Sequence, residues 1–412
     1  MRARRILGGF AVLMLFGAAV GAALAFTLRA ERKMLIILPS PVGQFAVGRT
    51  LYDWRDESAG DKLAPFPGTK RELLVWIWYP ASPPHSSVAG NYLPADLLAP
   101  IQLARSAMSS KLLTRDLARV RAYIVDDAPA SPLRKSYPVV LLRAGSSAEV
   151  WNYTALAADL ASDGYVVVGI DAPWRSNVVV FPDGRLMERF PPNDPEFAFG
   201  RPDSAERTNA LITAWTRDMS FVLDRLARLN AADSSGMFTG RLDLAHVGVV
   251  GHGLGGVEAA QFCHDDSRCQ AGIDIDGAPL GSVMRDGVRQ PFMFLLSGHA
   301  SSADSQSRTI MAEIRIIYDR LPSRDRLLVE LRGASHFLFS DDGALLKSHL
   351  ALGALRRLHI VGMDGPRQLA MTSYCVRRFF ATYLSDTATV RPPQLATTTY
   401  PEIRVLASEP AR

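Results

Sequence analysis

The sequence predicts an α/β fold, a mostly parallel sheet covered by helices on both faces, and two observations predict it. From Tyr137 onward the chain repeats strand, loop and helix, the pattern of parallel strands joined by crossover helices. The strands PVVLL (Pro138 to Leu142) and YVVVGI (Tyr165 to Ile170) are continuous apolar runs, and a strand buried on both faces loses the alternation that a half-exposed strand keeps. With 412 residues, 48% hydrophobic and 21% charged, the chain has enough apolar material for a large core.

Ile6 to Leu28 is a run of 23 residues without a charge, between Arg2, Arg4 and Arg5 on one side and Arg29, Arg32 and Lys33 on the other. A helix of that length crosses a hydrocarbon core of about 30 Å. Residues 1–33 read as an N-terminal transmembrane signal anchor or, with Ala23-Leu24-Ala25 as a signal-peptidase site, as a cleaved signal peptide. Both readings export the rest of the chain, and the balanced flanking charges leave the orientation open. Pro39 to Gly43 is a short linker. Val47 to Trp54 and Arg71 to Tyr79, rich in β-branched and aromatic residues, are strands, and Pro80 to Ser87 is a loop. Helical spacing over Leu97 to Val120 predicts two short helices covering one side of the site. Beyond Tyr137 the helices are Trp151 to Ser162, Ala205 to Leu229, Val257 to Cys263, Thr309 to Leu321 and Leu369 to Leu384. Further strands are His246 to Val250, Ala271 to Ile275, Pro291 to Leu296 and Arg326 to Leu331, and Pro-Asp-Gly within Val178 to Leu186 marks a hairpin. Residues 34–412 form a single domain.

Charge and cysteines narrow the partners. The net charge of +5 is scattered apart from the N-terminal clusters, which suit an anionic membrane surface, and no basic stripe interleaved with aromatics points to nucleic acid. In an exported protein Cys263 and Cys269, six residues apart, either close a small disulfide loop or stay buried and unpaired, and Cys375 is left over. No CxxC or HExxH motif suggests a metal site.

The chemistry concentrates in HVGVVGHGLGG, His246 to Gly256, where an apolar strand runs through glycines into a helix. This is the frame of the nucleophile elbow of the α/β-hydrolase fold, in which a serine sits in a sharp turn and small neighbours let strand and helix approach closely. Gly251, Gly255 and Gly256 hold their places, while the nucleophile position is Gly253. A dinucleotide-binding loop is the weaker alternative, because no G-x-G-x-x-G follows the first strand of a βαβ array. The remaining triad members come in the order this fold uses, acid and then histidine. Asp276 ends the strand AGIDID, 23 residues after Gly253, with Asp274 as a deeper alternative. His336 lies in the loop after the strand RLLVELRG, where a general base belongs.

These segments resemble the plasma-type platelet-activating-factor acetylhydrolases and their bacterial lipase and esterase relatives. The resemblance is carried, in order, by PVGQFAVGRTLYDWRD, RELLVWIWYPA, YTALAADLASDGYVVVGIDAPW with FPDGR behind it, the elbow with AGIDIDG, and GASHFLFSD. It implies a metal-free and cofactor-free carboxylic ester hydrolase acting on a lipid or small ester, such as a short or oxidised sn-2 acyl chain of a phospholipid. It also implies that Asp276 and His336 are acid and base, and that the Leu254 N–H serves the oxyanion. The chain departs from the family at Gly253 and in the loop Arg143-Ala144-Gly145-Ser146-Ser147, where the family offers a His-Gly pair. That loop supplies the second oxyanion N–H, expected here from Gly145 or Ser146 in a reshaped hole. Ser146 and Ser147 face the elbow as alternative nucleophiles or as plain turn residues, and Cys263 is too far along the elbow helix to replace the serine. An ester hydrolase and a catalytically inactive ester or lipid binder both fit this pattern.

Overall fold

The computed structural model describes residues 17–406 except 24, 83–88, 109–114, 147, 195–202, 299–304, 323–324, 346–356, 358–361 and 386–391. The expected membrane segment, Ile6 to Leu28, lies mostly outside the described residues, and its described parts, 17–23 and 25–28, are helical. Among the described residues no helix is long and apolar enough to cross a membrane.

One ten-stranded sheet organises the chain. Its strands are β1 (Ala46–Gly60), β2 (Lys70–Ala81), β3 (Val125–Asp126), β4 (Tyr137–Arg143), β5 (Val166–Asp171), β6 (Leu242–His252), β7 (Cys269–Ile275), β8 (Phe292–Leu296), β9 (Arg326–Leu331) and β10 (Ile403–Val405). They lie in the order β10-β9-β8-β7-β6-β4-β5-β2-β1-β3. From β5 through β4 and β6 to β9 every pairing is parallel, whereas β10 on β9, β2 on β5 and β1 on β2 are antiparallel. The helices that matter here are α1 (Ala95–Met108), α2 (Thr154–Asp163), α3 (Ser204–Ala231), α4 (Leu254–Asp265), α5 (Val283–Asp286), α6 (Ser305–Tyr318), α7 (Asp342–Leu345) and α8 (Gly365–Tyr383).

The apolar runs have the cause expected of them. On β4, Val140 and Leu142 pack with Leu156, Leu160, Phe379 and Phe380 of α2 and α8. Val139 and Leu141 point the other way, into a second core with Trp215, Val222, Phe262 and Ile317 of α3, α4 and α6. Both faces are dry, so neither parity of residue can be polar. β4 stands between β5 and β6, which puts the order reversal of the sheet at the carboxyl ends of β4 and β6. Crevices at such reversals are where open α/β sheets bind ligands.

Several elements differ from the expectation. The first hairpin runs past Trp54 to Gly60, and the Leu97 to Val120 region holds α1 and a single 3-10 turn, Leu117–Arg119, with residues 109–114 between them outside the described set. The helix expected from Trp151 begins as a 3-10 turn, Val150–Tyr153, before α2. β10 has only three residues, two of them exposed, too short to leave a period in the sequence. The linker is docked: Val42 and Gly43 N–H groups donate to the Asp159 and Ser162 side chains of α2.

Cys263 at the end of α4 is disulfide-bonded to Cys269 at the start of β7, and Cys375 is a buried thiol. The bond closes a short loop between the elbow helix and the strand that carries Asp274 and Asp276. For a loop this small, loop-closure entropy gives about 2 kcal/mol of stabilisation. Replacing both cysteines by alanine is therefore expected to lower the unfolding free energy by about that amount, and equal denaturation midpoints for variant and native protein would contradict it.

Candidate active site

The elbow needs its glycines for close approach. A Cβ on Gly251 would lie 2.0 Å from the Gly255 carbonyl oxygen, and one on Gly256 would lie 1.9 Å from Asp274 Oδ1. Between them Gly253 has φ 54° and ψ −120°, a conformation that strains any residue with a side chain. Its N–H donates to the Ile275 carbonyl at 2.8 Å, tying the turn to the end of β7. A Cβ built on Gly253 meets nothing closer than His336, at 3.4 Å from Cε1 and 3.5 Å from Nε2, with Gly145 Cα at 4.0 Å. These are ordinary contact distances, so the turn holds a side-chain position that glycine leaves open and that faces the imidazole.

His336 begins a 3-10 turn, His336–Phe339, after β9. Its Nδ1 lies 2.9 Å from Asp276 Oδ2, and the carboxylate is fully buried while the imidazole is 40% exposed. The Ser297 N–H donates to the other carboxylate oxygen at 2.7 Å. With both oxygens engaged, Asp276 fixes the imidazole with Nδ1 as donor and turns Nε2 toward residue 253. Asp276 itself sits at φ 56°, beyond the regular end of β7. Asp274 takes a different role: it accepts the Gly277 N–H at 2.8 Å, and burial raises its carboxyl to about 8.

A second histidine supports the first. His252, the last residue of β6, packs against His336 with ring centroids 4.5 Å apart and the rings tilted by 39°. Burial, with His336 beside it, lowers its pKa to about 3, so the ring is neutral at ordinary pH. Its Nδ1 lies 2.7 Å from the Tyr153 hydroxyl, which in turn accepts the Gly145 N–H at 3.1 Å. This chain of contacts corrects one expectation: the Gly145 N–H is engaged by Tyr153 instead of lining an oxyanion hole. Leu254 opens α4, so its N–H has no intrahelical acceptor and stands at the positive end of the helix. Ser146 contributes its carbonyl, which accepts from the Arg189 guanidinium, and Ser147 lies outside the described residues.

Arg143 is buried among partners of its own. Its side chain is 2% exposed and turns beneath the loop, pairing with Glu258 of α4 at 2.9 Å and donating to the Ile170 carbonyl. The guanidinium lies 3.5 Å from the Trp215 ring centroid. Burial raises the Glu258 carboxyl to about 7 against the pull of Arg143. The ion pair thus braces the β4 loop against the elbow helix. A groove of about 1240 Å³ runs between the β1–β2 hairpin and α3 and contains none of Gly253, Asp276 and His336. Among the described residues no cluster of three or more His, Cys, Asp or Glu is arranged to hold a metal.

A parallel sheet whose strand order reverses at β4 and β6, a strand-turn-helix elbow, and a buried aspartate holding a histidine over it define the α/β-hydrolase class. The family model for platelet-activating factor acetylhydrolase, isoform II, matches residues 228–355, which contain the elbow, Asp276 and His336. A probable 1-alkyl-2-acetylglycerophosphocholine esterase of Arthroderma benhamiae is 22% identical over 81% of this chain and 84% of its own length. The platelet-activating factor acetylhydrolase of Cavia porcellus is 24% identical over 51% of this chain, and the match spans only 50% of that enzyme. A ferulic acid esterase from Streptomyces cinnamoneus superposes with a TM-score of 0.71 at 25% identity, over 90% of this chain and 99% of its own. The family-model match, the curated relatives and the esterase neighbour together support a platelet-activating-factor-acetylhydrolase-like family within the α/β-hydrolase superfamily.

Tyr153, Glu258, Arg189 and the Ser297 amide were not legible as site components. The only sequence signal for Glu258 was a carboxylate in an otherwise apolar elbow helix, which has to find a cation when buried.

Proposed function

We propose that the chain is a carboxylic ester hydrolase of this family, acting on short-chain esters or sn-2 acyl phospholipid esters at Gly253, Asp276 and His336. The observation that supports the reading most is the Asp276-held His336 aimed at the open side-chain position of residue 253, beside the Leu254 N–H. An acid and base so arranged have a proton to move at that point, and the amide can take developing oxyanion charge. Glycine brings no nucleophile of its own, so no acyl-enzyme forms at residue 253. Gly253 thereby favours a second reading, a hydrolase-fold protein that binds ester or lipid ligands at the membrane without turnover, and hydrolysis of an aryl ester by the native protein separates the two.

Both readings are tested by a methyl phosphonate monoester, a tetrahedral anion resembling the ester addition intermediate. It is expected to bind the native protein and to bind His336→Ala about tenfold more weakly, the worth of one charge-assisted hydrogen bond. Equal affinities would contradict the site.

The same proposal places the domain outside the cytoplasm, with residues 6–28 as anchor or export signal and a membrane as its neighbour. A reporter active only after export, fused behind Arg412, is expected to be active, and a cytoplasmic signal from the fusion would contradict this.

A further inference from the structure

We propose that the nucleophile of this site is a water molecule held by His336 in the space beside the Gly253 Cα, so that the ester is hydrolysed in one displacement with no covalent intermediate. The inference rests on the reading of the pocket as an ester site and adds the identity of the attacking group.

Four features converge on it. The position a Cβ would take at Gly253 has its nearest neighbours at 3.4, 3.5 and 4.0 Å, so the surrounding groups have not moved in to replace the missing side chain. The imidazole bounding that space has Nδ1 committed to Asp276, which leaves the lone pair on Nε2 directed at whatever occupies it. The His336 side chain is 40% exposed, so the base itself is within reach of solvent, although Gly253 is buried. His252, packed on the ring, stays neutral and adds no charge that would oppose protonation of His336 during the step.

The step balances with no further reactant. The water oxygen bonds to the ester carbonyl carbon as its proton passes to His336 Nε2, and the carbonyl π pair moves onto the oxygen facing the Leu254 N–H. Collapse of the adduct breaks the acyl C–O bond, and the proton on Nε2 passes to the leaving alkoxide. Carboxylic acid and alcohol leave, and His336 is neutral again. A water held by one hydrogen bond is a poorer nucleophile than a serine fixed in the chain, so turnover is slow, on the order of 10³-fold over the uncatalysed reaction.

Stopped-flow hydrolysis of a short-chain p-nitrophenyl ester by native protein, Gly253→Ala, Gly253→Ser and His336→Ala tests the proposal. Native protein is expected to release p-nitrophenol linearly without a burst and to keep its rate after fluorophosphonate treatment. Gly253→Ala, whose methyl takes the place of the water and offers no nucleophile, is expected to fall to the uncatalysed rate. His336→Ala, altered at a half-exposed side chain, is expected to do the same and serves should the alanine at 253 fail to fold. A burst, a covalent adduct on the native protein, or a native rate retained in His336→Ala overturns the proposal. No hydrolysis by native protein but hydrolysis by Gly253→Ser overturns the water nucleophile and leaves the ester site standing. Inactivity of both together with no phosphonate binding overturns the site reading as well.

Discussion

Replacing Gly253 by serine is expected to raise hydrolysis of short-chain aryl esters at least about 10³-fold over the native protein, because nucleophile, base and acid act as a unit worth several orders of magnitude. The backbone at residue 253 already has φ 54° and ψ −120°, and the added Cβ arrives 3.5 Å from His336 Nε2 with no clash. One rotation about χ1 then brings the hydroxyl within hydrogen-bond reach of Nε2, about 2.6–3.2 Å. The gain has a structural cost: serine in that conformation is strained, and the variant is expected to lose about 1–3 kcal/mol of stability. Adding His336→Ala to the serine variant removes the base and should return the rate to background. A folded serine variant with no gain would mean that the fault lies beyond the nucleophile, in the oxyanion donors.

Removing Glu258 is expected to be the most destabilising single change near the site. The carboxylate is 1% exposed and pairs with an Arg143 that is 2% exposed, so Glu258→Ala leaves a guanidinium buried against Trp215 without its counter-charge. Breaking a buried pair in this way costs about 3–5 kcal/mol. Replacing both partners with apolar residues of similar volume, Arg143→Met with Glu258→Leu, should cost much less, since the desolvation of both charges is removed with the attraction. Chemical denaturation of the single and double variants measures this, and a single-variant loss below about 1 kcal/mol would show that Arg143 finds another partner.

How much of this was legible in the sequence depends on how far apart the partners lie. The parallel strands were legible because burial on both faces leaves a continuous apolar run such as PVVLL, and the elbow was legible because its glycines are local packing requirements. Asp276 and His336 could be chosen because strand ends and chain order constrain them. The Arg143 to Glu258 pair and the Tyr153 to His252 contact could not, because their partners are 115 and 99 residues apart and the contacts exist only after β4, β6 and α4 have packed. For the same reason the arginine in the β4 loop read as a change to the oxyanion hole, whereas its side chain lies under the loop. The Gly145 amide read as an oxyanion donor because nothing in the local sequence announces the Tyr153 hydroxyl that engages it.

The central proposal is a hydrolase site that keeps its acid and base and lacks the side-chain nucleophile. Fluorophosphonate labelling, with the modified residue mapped by mass spectrometry on native protein and on Gly253→Ser, tests it most directly. No adduct is expected on the native chain, and a single adduct at residue 253 in the variant. An adduct at Ser146 or Ser147 of the native protein, or a folded serine variant that takes up no label, would contradict it.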